Sequence, residues 1–164
     1  MKISYQGQIL QEFDHLTQPL GIETAVWPID STLDLSAQTI LETLSQPLAE
    51  LKTRREYQTE DVVSLSSETP NLEKILEAFI APHYHTDDEV RICVTGSGIF
   101  TIYKSLEDSF DIVVEPEDLI VVPAYTMHSF RLTEENRITA IRVFKENPRW
   151  EAVYDWPNLS ESLL

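Results

Sequence analysis

Residues 90–103 read VRICVTGSGIFTIY. Two runs rich in β-branched and aromatic residues meet at Gly96-Ser97-Gly98, the pattern of a strand, a turn and a second strand. The same texture continues downstream in FDIVV (110–114), LIVV (119–122), HSFRL (128–132) and ITAIRVF (138–144). Ser105 to Asp108, Pro116-Glu117-Asp118 and Thr133 to Asn136 separate these runs as turns. At least six short strands at such spacing predict an antiparallel sandwich or barrel. Upstream the period changes. Ala37, Ile40, Leu41, Leu44, Leu48 and Leu51 follow a helical stripe from Ser36, with a kink at Pro47 or a break capped by Ser45. Leu72, Ile75, Leu76, Phe79 and Ile80 form a second stripe after Thr69-Pro70, an N-cap with proline at the first helical position, ending near Ala81-Pro82. The expected fold is mainly β, a small barrel preceded and decorated by a few N-terminal α-helices.

A chain of 164 residues is the size of one domain. We divide it into an N-terminal strand and helical decoration (1–81), a barrel core (82–145) and a C-terminal extension (146–164). Twelve Lys and Arg against 28 Asp and Glu give a net charge of −16, which argues against nucleic-acid and membrane-surface partners. The single cysteine, Cys93, excludes an internal disulfide framework and a cysteine-rich zinc site. It shares the inward parity of Glu89 and Arg91 and reads as a small buried hydrophobe. MKISYQGQILQEFDHL at the N-terminus has no signal-peptide character, and no apolar run approaches a membrane span. A cytoplasmic location is expected.

Three of the four histidines fall in the β-rich half. HYHTDDE (83–89) places His83 and His85 on one face of an extended strand, with Glu89 and Arg91 at the same parity if Thr86-Asp87-Asp88 does not bend the chain. His128 opens another strand. A barrel brings strand interiors together, so His83, His85, Glu89 and His128 are candidate ligands of one divalent metal. Imidazole and carboxylate without thiolate favour Fe(II), Ni(II), Co(II) or Mn(II), with zinc also a fit. Four such ligands on an octahedral ion leave room for a bidentate oxygen ligand. His15 has no assigned role.

Two cations stand out in this acidic chain. ITAIRVF is apolar except for Thr139 and Arg142, so its arginine sits on a strand expected to be buried. A buried guanidinium either pairs with a protein carboxylate or receives an anion. Arg91, two residues after Glu89, is either a partner of that carboxylate or a clamp on bound substrate.

HYHTDDE followed after six residues by Gly96 resembles the first motif of the cupin superfamily, and PAYTMH (123–128) its second. The general pattern is departed from at Glu77, Tyr125 and Leu132. More narrowly, APHYHTDDEVRICVTGSGIF (81–100), EDLIVVPAYTMHSF (117–130) and TAIRVFKENPRWEAVY (139–154) resemble the acireductone dioxygenases of methionine salvage. YQTEDVVSL (57–65) is similar to that family's segment before the barrel. Pro82 stands where many members carry Glu. The resemblance implies a cupin jelly roll holding one Fe(II) or Ni(II) per chain, with 1,2-dihydroxy-3-keto-5-methylthiopentene and O₂ as substrates. It implies 2-keto-4-methylthiobutyrate and formate with iron, and methylthiopropionate, formate and CO with nickel or cobalt. Arg91 matches the residue that favours the substrate dianion, and Asp88 one that relays local conformational change. Phe79, Phe130, Arg142, Phe144 and Trp150 match residues lining the site or its entrance. The three phenylalanines equally suit core packing, and Trp150 a cap on the barrel. A monomer is favoured by the net charge and the resemblance. The rival readings are another metal-dependent cupin enzyme, such as an isomerase, or a ligand sensor; the latter lacks a visible helix-turn-helix partner.

Overall fold

The structure, a computed structural model, describes residues 1–30, 36–147 and 151–156. Ten strands are present among these residues, β1 (Lys2–Tyr5), β2 (Gln8–Leu10), β3 (Glu23–Val26), β4 (Thr59–Ser66), β5 (Glu89–Gly96), β6 (Gly98–Tyr103), β7 (Ser109–Val114), β8 (Asp118–Val122), β9 (His128–Leu132) and β10 (Arg137–Phe144). They form two five-stranded antiparallel sheets, β2-β1-β7-β6-β9 and β3-β8-β5-β10-β4. The helices are α1 (Asp14–Thr17), α2 (Ala37–Thr43), α3 (Ser45–Arg55) and α4 (Leu72–Ile80). This is the mainly β jelly-roll architecture expected, and every run of alternating residues from Val90 onward is a strand. None of the helices described is long and apolar enough to cross a membrane.

Side-chain alternation explains the layering. On β5, Cys93 faces the space between the sheets with Phe100, Ile102, Phe110, Ile112, Ile120, Ile138 and Ala140. Val90, Ile92 and Val94 point the other way and pack with Leu119, Val121, Ile141 and Val143 under Ile40, Leu44, Leu48 and Leu51 of the helical segment. The central strands of the second sheet are therefore buried on both faces. That is why VRICV and ITAIRVF read as near-continuous apolar runs rather than as simple alternation.

The described residues of 1–81 add four strands to the helices. β1 pairs with β7, β3 with β8 and β4 with β10, so these residues complete both sheets. Pro47 falls in the first turn of α3, where a missing N–H is tolerated. The break between α2 and α3 is as expected, but Leu44 rather than Ser45 occupies the cap position. Thr69 does not cap α4 either. Its hydroxyl accepts the Ser66 N–H at 2.9 Å, and the helix starts after Asn71 in a left-handed conformation (φ 57°). The local turn competes for the threonine oxygen and wins.

Two glycines set the β5–β6 turn. Gly96 has φ 70°, and a Cβ there would lie 2.2 Å from the Arg137 carbonyl oxygen. A Cβ on Gly98 would lie 2.4 Å from the Phe130 ring. Its absence lets Phe130, on neighbouring β9, lean across β6.

Candidate metal centre

The segment before β5 makes isolated bridges, in one of which His83 and His128 exchange both backbone hydrogen bonds at 2.8 and 2.9 Å. A bend at Thr86-Asp87 then lets the chain re-enter the sheet at Glu89. His83, His85, Glu89 and His128 are all buried, and their nearest donor atoms lie within 4.8 Å of one another. All four expected ligands converge.

Each imidazole is aimed by its other nitrogen. Nδ1–H of His83 donates to the Ala81 carbonyl (2.8 Å), that of His85 to Glu151 (2.9 Å) and that of His128 to Thr126 (2.8 Å). A carbonyl oxygen can only accept, so the Nδ1 proton is fixed and Nε2 is left facing the centre. Nε2 of His85 and of His128 stand 3.0 and 2.9 Å from Glu89 Oε2. Nε2 of His83 is buried with no hydrogen-bond partner among the described residues. Leaving such an acceptor dry is costly. A divalent cation would satisfy it, and Nε2 of His85 and His128 beside the Glu89 carboxylate complete a donor set that fits a metal ion.

Electrostatics agree with that fit. Burial, with the neighbouring histidines, pushes the His83 imidazole down to about 4 despite the Ala81 carbonyl, keeping its lone pair available at neutral pH. For His85 burial acts in the same direction, but the hydrogen bond and charge of Glu89 outweigh it and the pKa is raised. Burial opposes ionisation of Glu89. Arg91 and the two histidines overcome it and hold the carboxyl well below its usual range. Arg91 Nη2 lies 3.2 Å from Glu89 Oε1. Burial pulls this guanidinium down to about 10, so it stays charged at neutral pH.

The centre opens into a cavity of about 140 Å³. Its polar end carries His83, Glu89, Arg91 and Arg142, and its walls are Val63, Leu65, Ile75, Phe79, Phe130, Ile138 and Ala140. Arg142 is directly opposite Arg91 on one side and Asp61 on the other. Of the two fates foreseen for a buried arginine, pairing is found. Arg142 Nε donates to Asp61 Oδ1 at 2.7 Å, and Nη2 to Oδ2. Phe79 and Phe130 line the cavity, whereas Phe144 lies beneath the Arg142 guanidinium, 5.1 Å from it. Asp88 accepts from Tyr57 Oη (2.8 Å) and from the Ala124 amide (3.0 Å), tying the His85–Glu89 bend to the loop before β9. Cys93 is a core residue whose thiol burial pushes up to about 12. Trp150 lies outside the described residues.

Sequence reasoning missed Asp61, the apolar side chains of β4 and the three carbonyls that aim the histidines. YQTEDVVSL held a usable signal, since Asp61, Val63 and Leu65 alternate on one face. The carbonyls had none, because every residue carries one.

A jelly roll with a buried three-histidine, one-glutamate centre defines the metal-binding cupin class. Comparison narrows this. Residues 11–152 match the model of the ARD/ARD′ family, and the chain belongs to that family. The acireductone dioxygenase of Bacillus licheniformis is 36% identical over 157 residues, covering 96% of this chain and 86% of that protein. That of Sulfurihydrogenibium sp. is 40% identical over 155 residues, covering 88% and 86%. Among solved structures, acireductone dioxygenase from Bacillus anthracis with a cadmium ion in its active centre superposes with a TM-score of 0.82 at 32% identity, covering 93% of this chain and 97% of that one.

Proposed function

We propose that this chain is a metal-dependent dioxygenase that cleaves acireductone, 1,2-dihydroxy-3-keto-5-methylthiopentene, with O₂. The observation that carries the reading is one cavity whose polar end carries His83 and Glu89 of the four-donor centre with two guanidinium groups, while the rest of the wall is apolar. His83, His85, Glu89 and His128 would hold one Fe(II) or Ni(II), with Co(II) or Mn(II) as further fits. When bound, the ion supplies Lewis acidity that favours ionised enediol oxygens, and the family's chemistry gives 2-keto-4-methylthiobutyrate and formate with iron, or methylthiopropionate, formate and CO with nickel or cobalt.

The chain's own residues divide the remaining work. Arg91 is held by Glu89 and stays charged, so it stabilises the second negative charge of the enediolate from a largely dry position. Arg142, anchored by Asp61, adds positive potential at the same end. Glu89 remains a carboxylate throughout the neutral range and therefore is not a proton donor. Phe79, Phe130, Val63, Leu65, Ile75 and Ile138 surround the methylthioethyl tail and exclude water from the electron-rich substrate.

The test is anaerobic reconstitution of the apoprotein with Fe(II) or Ni(II), followed by acireductone and O₂, recording O₂ uptake and gaseous CO. O₂ consumption well above the uncatalysed rate, with CO from the nickel form only, is expected. Turnover without O₂ would favour an isomerase, and binding without turnover a sensor.

A further inference from the structure

Helix α4 supplies Ile75 and Phe79 to the cavity wall, yet none of its residues is fully buried. Its grip on the barrel is therefore made by partly exposed side chains. The last four carbonyls of any helix lack intrahelical partners. For Ala78 the deficit is built into the sequence, because the amide four residues on belongs to position 82, a proline with no N–H. The carbonyl is served from elsewhere in the chain. Tyr154 Oη–H donates to Ala78 O at 2.8 Å, and the tyrosine ring lies 5.9 Å from the ring of His83. The segment carrying Tyr154 is itself fastened to the centre. Val153 and Tyr84 exchange both backbone hydrogen bonds at 2.9 Å, and the Glu151 carbonyl holds His85 Nδ1–H.

We infer that Tyr154 is a positioning residue: through the Ala78 carbonyl it holds α4 closed over the cavity, so that Ile75 and Phe79 form the wall against the substrate tail. The Tyr154 hydroxyl is hydrogen-bonded to the Ala78 carbonyl and not to the centre's donors, so it governs the cavity rather than metal retention. The substrate arm of this inference rests on the function proposed above; the structural arm does not.

Tyr154→Phe keeps the ring beside His83 and removes only the hydroxyl. Loss of one neutral hydrogen bond should speed hydrogen–deuterium exchange of the α4 amides about 2–10-fold. Exchange in β5 and β10 and affinity for Ni(II) should stay within twofold of the parent protein. In the metal-loaded enzyme, KM for acireductone should rise several-fold while kcat changes less than twofold. Unaltered exchange across α4 would overturn the clasp, and faster exchange with an unchanged KM would overturn its role in forming the cavity. If the parent protein itself fails to turn over acireductone, the functional reading falls while the exchange measurement still decides the clasp.

Discussion

His128 shows what a single residue contributes at the centre. Its backbone pairs with His83, its Nδ1 is committed to Thr126, and its Nε2 faces Glu89. Removing the imidazole takes away one of the four donor groups and leaves Glu89 short of a partner. His128→Ala should weaken Ni(II) binding by more than the ~10–100-fold that loss of an outer partner costs. Metal analysis after gel filtration checks this, and full retention would remove His128 from the ligand set. Arg91 separates differently. Arg91→Ala leaves all four donors in place, so metal content should remain near one equivalent while kcat/KM falls by ~10²-fold or more. Unchanged kinetics in an O₂-electrode assay would strip Arg91 of its proposed charge-stabilising role.

Among the elements, β3 and α3 show how the helical layer is tied to the second sheet. Arg54 at the end of α3 makes two hydrogen bonds to Glu23 of β3, at 2.5 and 3.1 Å, and Arg55 joins the same carboxylate. The hydrogen bond from Arg54 holds the Glu23 carboxyl below its ordinary value of 4.5, against the effect of burial, and Arg55 adds to it. A carboxylate whose folded pKa is depressed stabilises the fold above its unfolded value, and the contribution fades as pH falls through the folded value. Partly exposed pairs are worth up to ~1 kcal/mol, or roughly 2–4 °C in Tm for a domain this size. Glu23→Gln should therefore lower Tm by about that amount at pH 7, and the gap to the parent should close in acid. Circular-dichroism melts at both pH values measure it; an equal gap at pH 3 would show that the effect is not ionic.

At the scale of the whole molecule, the centre joins parts that are distant in sequence. His83, His85 and Glu89 lead into or begin β5 of one sheet, His128 begins β9 of the other, and Glu151 orients His85. A cation that binds only this folded arrangement should stabilise it through mass action, by ~4 kcal/mol at a thousand times its Kd. Tm should then rise by roughly 8–16 °C on adding Ni(II) and return on chelation; an unchanged Tm would mean that the four donors do not take up the metal. The β-rich half and the four donors were legible from the chain because alternation and the spacing of HYHTDDE are local properties. So was the inward parity of Arg91. The strands of the N-terminal third were harder to read: β1 to β3 are only three or four residues long, and β1 and β3 gain stability by pairing with β7 and β8 across long sequence separations. The same limit hid the pairing of Arg142 with Asp61 and the Glu151 carbonyl behind His85, whereas the carbonyls behind His83 and His128 are two residues away and leave no side-chain signal. The sequence by itself determined which residue types were present and which face of a strand each would take, since those follow from composition and a period of two. Only the tertiary structure decided which residues meet, because a guanidinium such as that of Arg142 or an orphaned carbonyl such as that of Ala78 finds its partner through folding, and the partner stands tens of residues away.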